Sequence, residues 1–413
     1  MVSGDGRHLD EIGALVGPDR WRGLLAVIAS AGMVGITIGY MAPLVAIILE
    51  NQGHPNWAIG LNGAAPALAT ILLGPLVPKL FSKIGFYPSM MLAVFGEAVC
   101  ILLLLVYQDI WVWAVLRFAI GFFGTVHWIG SETWIVSMAP PAQRGRAIAL
   151  YMIAISGGFA AGPVVIKATG TEGVLPFLVG AGLILAAAPC IWAARGIVPK
   201  LPHAPKAALV QSFRLAPLVM AAALLAGFVD MSAITHLVNY GTAAGLSPDT
   251  ALLMLTIMLT ANVVMQFPVG WLADRVNKRN LLICFGVIFF LAPILVTMTA
   301  GKSFLLWPVL MVWGVASLGI YTVALTILGE RFEAKLLASA NAGIVAVYQL
   351  GGVSGPMASG SGMDLIYPNG LMYVFAVAGF LFLCFAGYRT WVRRKQGMAE
   401  DARPLPVANE DRG

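Results

Sequence analysis

Gly270-Trp271-Leu272-Ala273-Asp274-Arg275-Val276-Asn277-Lys278-Arg279 is a short basic turn set between two long apolar runs, 249–272 and 280–300. A membrane-crossing helix needs about 20 apolar residues, and basic residues collect in the turns on the cytoplasmic side. The stretch therefore reads as a cytoplasmic turn between two spans. The same alternation recurs in both directions along the chain. Twelve spans are expected, at 22–49, 57–79, 87–107, 111–138, 147–170, 174–196, 215–241, 249–272, 280–300, 303–329, 336–359 and 368–390. Most are joined by short turns such as Asn51-Gln52-Gly53-His54-Pro55-Asn56.

Composition agrees. Of 413 residues, 59% are hydrophobic and 11% are charged, against about 25% charged in an average soluble protein. A soluble fold of this size needs more charge on its surface, and a disordered chain needs the opposite balance. Nucleic-acid binding is not expected despite the net charge of +6, because the basic residues form no stripe on a soluble face. The first apolar run follows a polar tail and is too long for a signal sequence, so it is expected to be a retained span.

Charge also sets the topology. With both termini cytoplasmic, 22 of the 25 basic residues fall in inside segments. Arg117 and Lys167 lie within spans, and Lys302 falls in an outside loop. Cys100, Cys190, Cys284 and Cys384 lie in spans without ligand spacing and read as small buried hydrophobes. Trp21, Trp57, Trp111, Trp192, Trp307 and Trp391 sit at span ends, as an interfacial belt does.

The chain also repeats. Gly162-Pro163 in span 5 and Gly355-Pro356 in span 11 are 193 residues apart, and the turns Ser82-Lys83-Ile84-Gly85 and Asp274-Arg275-Val276-Asn277 are 192 apart. The expected organisation is a cytoplasmic tail (1–21), a six-helix bundle (22–196), a cytoplasmic linker (197–214), a second six-helix bundle (215–391) and a cytoplasmic tail (392–413). Parallel repeats of this kind place a substrate site at the midplane between the halves. The two Gly-Pro pairs are expected to bend spans 5 and 11.

The turn from Gly270 to Arg279 resembles the signature of the major facilitator superfamily, Gly-x-Leu-Ala-Asp-Arg-x-Gly-Arg-Lys. Asn277 replaces the second Gly, and Asn tolerates a left-handed backbone nearly as well. The first-half copy, Pro78 through Gly85, has Ser82 in place of the Asp. Arg117 through Gly124 resembles the family's Arg-x-x-x-Gly motif. Arg117-Phe118, Trp128, Glu132 and Arg144-Gly145-Arg146 followed by Tyr151-Met152 look closest to the YcaD-like branch. The resemblance implies an all-α polytopic membrane protein, with twelve helices in two pseudo-symmetric six-helix bundles. It also implies a cavity lined by spans 1, 4, 7 and 10, with faces of 2, 5, 8 and 11.

Ionisable groups inside spans are costly and hence candidate functional groups. Arg117, Gly121, Gly124, Trp128 and Glu132 share one face of span 4, within about 80° at 100° per residue. Glu132 lies about 22 Å from Arg117 along the axis, too far for a pair. Candidates for proton coupling are Asp230, slightly past the middle of span 7, together with Arg117, Glu97 and His236. The role of Arg117 is implied by the family, and Glu97 is its candidate partner. The resemblance implies an inner gating network of Lys83, Glu132, Asp274, Arg275, Arg279 and Glu330. Candidate cavity residues are Tyr40, Asn62, His127, Trp128, Asn262, Gln266, Trp313, Tyr321, Asn341, Tyr348 and Gln349. That mixture of aromatics and amides suits a small amphipathic or weakly polar solute more than a phosphate. His127 reads first as a satisfied interior histidine, and Lys167 as snorkelling to the outer surface.

The expected function is secondary, proton-coupled transport of a small organic solute across the cytoplasmic (inner) membrane of a bacterium, by a monomer without cofactor or metal. Import and export both remain open, because the Gly-Gly that completes the exporter-type motif of span 5 is missing. A transporter-like sensor or scaffold is the alternative. An enzyme or ATP-driven pump is not expected: there is no HExxH, and Gly301-Lys302-Ser303 lacks the upstream Gly of a P-loop.

Overall fold

A computed structural model describes residues 18–139, 144–195, 216–300, 303–331 and 334–395. Among these the regular structure is helical throughout. The helices are α1 (Pro18–Asn51), α2 (Asn56–Ile84, with a 3-10 turn at Gly74–Leu76), α3 (Phe86–Val106), α4 (Ile110–Met138), α5 (Arg144–Thr169) and α6 (Leu175–Ala193). After the linker come α7 (Pro217–Ala243), α8 (Pro248–Ala273), α9 (Lys278–Thr299), α10 (Ser303–Arg331), α11 (Ala334–Leu365) and α12 (Gly370–Lys395). Each coincides with an expected span to within a few residues. Eleven are long and apolar enough to cross a membrane. The remaining helix, α11, has 32 residues and is rich in Gly and Ser.

Glycines set the packing, and they do so twice. In the first half Gly39 of α1 and Gly162 of α5 press backbone to backbone, and Gly35 lies against Ile155. In the second half Gly227 of α7 lies against Tyr348 of α11, and Gly355 of α11 against Phe228. Gly121 of α4 meets Pro66 of α2, and Gly314 of α10 meets Met258 of α8. Corresponding positions are 192 or 193 residues apart. Small residues let spans approach to van der Waals contact where the hydrophobic effect gives no drive. The glycine of each expected Gly-Pro bend thus serves a close helix crossing.

The two signature turns are built differently. Gly85 has φ +93°, a conformation that favours glycine. Asn277 has φ −61° and ψ 111°, so it is not left-handed as its Gly-like position suggested. Its side chain instead caps α9, accepting from the backbone N–H of Arg279 (3.0 Å) and Asn280 (3.2 Å). Asp109 caps α4 in the same way. Exposed leucines, valines and phenylalanines along the helices form the lipid-facing surface. At its edges Trp57 pairs with Trp111, while Trp192 and Trp391 carry Arg195 and Lys395 over their rings.

Across the halves α2 packs on α11, α5 on α8, and α1 on α7. The polar contacts joining the halves gather at the ends that the charge pattern assigns to the outside. Asp364 of α11 accepts from the backbone N–H of Asn56 (2.9 Å), the Asn56 amide (3.0 Å) and the backbone N–H of Trp57 (2.8 Å). Asn239 donates to the Ala46 carbonyl at 3.2 Å, and Lys167 pairs with Asp249 at 3.0 Å. At the opposite ends Lys83, Glu132, Asp274 and Arg275 are exposed, with no ion pair among them. The described polar contacts between the halves thus gather at one end of the helices.

Candidate functional site

Asp230 lies on the α7 face turned towards α10 and α11. One turn earlier, Gly227 admits the backbone of α11 at Tyr348. That approach brings the Tyr348 hydroxyl to Asp230 Oδ2, which it bonds at 3.0 Å. Ser317 of α10 donates to Oδ1. Each carboxylate oxygen thus has a hydroxyl donor, and no described basic residue joins them.

From Tyr348 the cluster continues to Tyr321 of α10, whose ring sits edge-on at 5.2 Å between centroids and 67°. Glu132 of α4, in the other half, bears electrostatically on Tyr321 and on Tyr151 of α5, and lies beside the Trp128 indole. Helices α4 and α10 do not pack closely on one another. Glu132 is solvent-exposed although it sits within the helical assembly, as a residue on the wall of an opening would be. Sequence had assigned Asp230 to coupling, Glu132 to gating, and Trp128, Tyr321 and Tyr348 to a cavity. Pairwise contacts run from Asp230 to Tyr348, from Tyr348 to Tyr321, and from Tyr321 to Glu132 beside Trp128.

Other candidates are placed elsewhere. Tyr40 is fully buried and donates to the Pro176 carbonyl at 3.0 Å, with Thr169 also at 3.0 Å; it ties α1 to α5 and α6. Trp313 is fully buried against Phe375, between α10 and α12. Asn62 is buried and donates to the Ile110 carbonyl at 3.3 Å. His127 is buried with Nε2 at 2.8 Å from Ser30 Oγ. Asn262, Gln266 and Gln349 are half-buried. The side chains of Asn341 and Glu330 lie outside the described residues.

Glu97 and Arg117 are buried and interact electrostatically, as their pairing would require, but they are not in direct salt-bridge contact. Both Glu97 oxygens and Arg117 Nε lack hydrogen-bond partners. His236 is fully buried, and its Nε2 lies 3.1 Å from the Pro356 carbonyl. Of the residues of the expected gate, Arg275 stacks on Trp271 at 3.9 Å, and Arg279 donates to Thr390 at 2.7 Å.

Sequence reasoning missed Ser317, Tyr151 and Asp364. A serine or tyrosine in an apolar helix carries no periodic signal. Asp364 lies beyond the apolar end of span 11, and its partners are about 300 residues away in sequence.

Repeated helical halves of mostly apolar helices, packed on one another and tied by polar contacts at one end, have the architecture of a multi-pass membrane protein. The chain belongs to the Major Facilitator Superfamily, whose sequence profile matches residues 24–261 and 219–409. That family is one of transporters rather than enzymes. The chain is 26% identical over 354 residues to the uncharacterized MFS-type transporter YfkF of Bacillus subtilis (strain 168), covering 82% of this chain and 88% of that one. It is 26% identical over 394 residues to the uncharacterized MFS-type transporter Ent638_1421 of Enterobacter sp. (strain 638), covering 94% and 98%. Among solved structures it resembles a point mutant of the nucleoside transporter NupG, with a TM-score of 0.75, 12% identity and coverage of 89% and 99%. It also resembles a bacterial homolog of the human lysosomal transporter Spinster in an inward-facing, occupied conformation, with a TM-score of 0.70, 14% identity and coverage of 94% and 100%.

Proposed function

We propose that this chain is a monomeric secondary transporter of the YcaD-like branch, which moves a small organic solute across a bacterial cytoplasmic membrane by alternating access and couples that movement to protons at Asp230. In this reading α11 is the twelfth span, the bundles are 22–196 and 215–391 joined by the linker 197–214, and both termini are cytoplasmic. The supporting observation is the setting of Asp230. It is a carboxylate among three helices whose described partners are both hydroxyls. Such a group can exchange a proton without breaking an ion pair. Lys83, Glu132, Asp274, Arg275, Arg279 and Glu330 form the inner gate, assembling when the inner ends close.

A thermal-shift screen of the purified protein against metabolites and drugs identifies the solute, because a ligand selective for the folded state raises its stability. Uptake of that solute into proteoliposomes is expected to collapse when the proton gradient is dissipated. Asp230→Asn is expected to abolish gradient-driven accumulation while sparing exchange. Undiminished accumulation in that variant removes Asp230 from the coupling role.

A further inference from the structure

We infer that the central site takes organic cations, either amphipathic solutes with a fixed positive charge or protonated amines. This rests on the transporter reading above and specifies its solute.

The first argument is charge balance. Among the described residues, and leaving aside groups at helix ends such as Glu50, Lys79 and Lys83, the ionisable groups within the helices fall into two kinds. Glu97 is set against Arg117, and Lys167 pairs with Asp249 at the outer end. His127 and His236 are held by Ser30 and by the Pro356 carbonyl. Asp230 and Glu132 remain. The groups acting on Asp230 are the hydroxyls of Ser317 and Tyr348; Glu132 interacts with the Trp128, Tyr151 and Tyr321 side chains. No described base reaches either carboxylate. Asp230, enclosed by three helices, is expensive without a counter-charge, and Glu132, exposed in the same aromatic chain, is accessible to one. A cation arriving from solution, whether proton or solute, can supply one.

The second argument is the surface between the two carboxylates. Tyr348 and Tyr321 stand edge to face between Asp230 and Glu132, and Trp128 flanks Glu132. Aromatic faces attract a desolvated cation and hold its apolar parts as well. Among the described residues, an anion would meet two carboxylates and no base. The third argument is Tyr151. It is 2% exposed, interacts with Glu132, and its hydroxyl has no hydrogen-bond partner. A buried phenol in that state leaves an acceptor free for an ammonium N–H.

The test uses the full-length purified chain with tetraphenylphosphonium and ethidium as cationic probes and benzoate as the anionic one. Both cations are expected to bind, to compete with each other, and to be unaffected by benzoate. Binding in weakly buffered solution is expected to release protons, because proton and cation share the carboxylates. Asp230→Asn and Glu132→Gln, checked for folding by gel filtration, are each expected to weaken cation binding about tenfold or more. If either variant misfolds, proton release from the unaltered protein remains as the readout. The inference is overturned if neither cation binds, if both folded variants bind as the unaltered protein does, or if benzoate binds as tightly as the cations. Proton-dependent accumulation of a neutral or anionic solute, uncontested by cations, overturns it while leaving the transporter reading intact. Cation binding that depends on both carboxylates, with no gradient-driven accumulation, does the reverse.

Discussion

Replacing Asp364 by alanine is expected to open the outer end. In this conformation its carboxylate takes three hydrogen bonds, from the backbone N–H groups of Asn56 and Trp57 and from the Asn56 amide, at 2.8–3.0 Å. The two backbone donors are among the first of α2, which have no partner within their own helix. Asp364 therefore caps a helix in the other half of the molecule. A capping side chain contributes about 0.5–2 kcal/mol, and charge-assisted bonds contribute towards the upper end. Asp364 is exposed, and water replaces part of that, so about 1–2 kcal/mol is the appropriate scale. These bonds bridge α2 and α11 and require their outer ends to be together. Their loss thus falls on the conformational equilibrium, lowering the closed-to-open ratio at the outer end about 5- to 30-fold. The ion pair of Lys167 with Asp249 spans the same ends, but its side chains are 59% and 63% exposed. Lys167→Ala is expected to change the ratio by about fivefold at most. Spin labels at Glu172→Cys and Tyr367→Cys, with Cys100, Cys190, Cys284 and Cys384 replaced, report the distance between the halves. A distance distribution unchanged by Asp364→Ala, or one moved more by Lys167→Ala, would refute the reasoning.

Two further variants probe the centre. Glu132→Gln is expected to alter the balance between inward- and outward-open forms, read as thiol accessibility of single cysteines on the inner side; an unaltered pattern counts against a gating role. Gly227→Ala places a methyl group against the Tyr348 carbonyl. Forcing α7 and α11 apart is expected to cost about 1–3 kcal/mol, seen as a lower melting temperature, and to weaken gradient-driven transport by moving Tyr348 from Asp230.

The helices were legible because a membrane segment must satisfy its own backbone and show about 20 apolar residues to lipid. Both demands are local, so span positions and the repeat of 192 or 193 residues could be read directly. Asp230 and Glu132 stood out for the same reason, as charges in an apolar setting. Partners across helices were not legible. Tyr40 and Trp313 look like Tyr348 and Trp128 in sequence, and only packing turns the first two into structural contacts. Asn277 occupies a Gly-like position, yet its side chain finds free N–H groups at the start of α9 and needs no left-handed backbone. The end of α11 was placed too early because apolarity fades near residue 359, while the helix continues to Leu365 and carries Asp364 to its partners on α2.

The composition of α11 has a physical reason. It packs on both α2 and α7. A surface that meets protein needs closeness more than apolarity. Gly351 and Gly355 accordingly press on the backbone of α7, and Gly360 on that of α2. The same helix bonds Asp230 through Tyr348 and the start of α2 through Asp364. Those contacts are 16 residues apart, about 24 Å along the axis. Between them Pro356 lacks an N–H, which leaves the Gly352 carbonyl without its helical partner, and the carbonyl of Pro356 itself faces His236. A change at Asp230 and the release of Asp364 therefore act on two ends of one helix whose hydrogen-bond ladder is interrupted in the middle. The small residues of α11 lie where its backbone meets those of α7 and α2, contacts that a leucine would prevent.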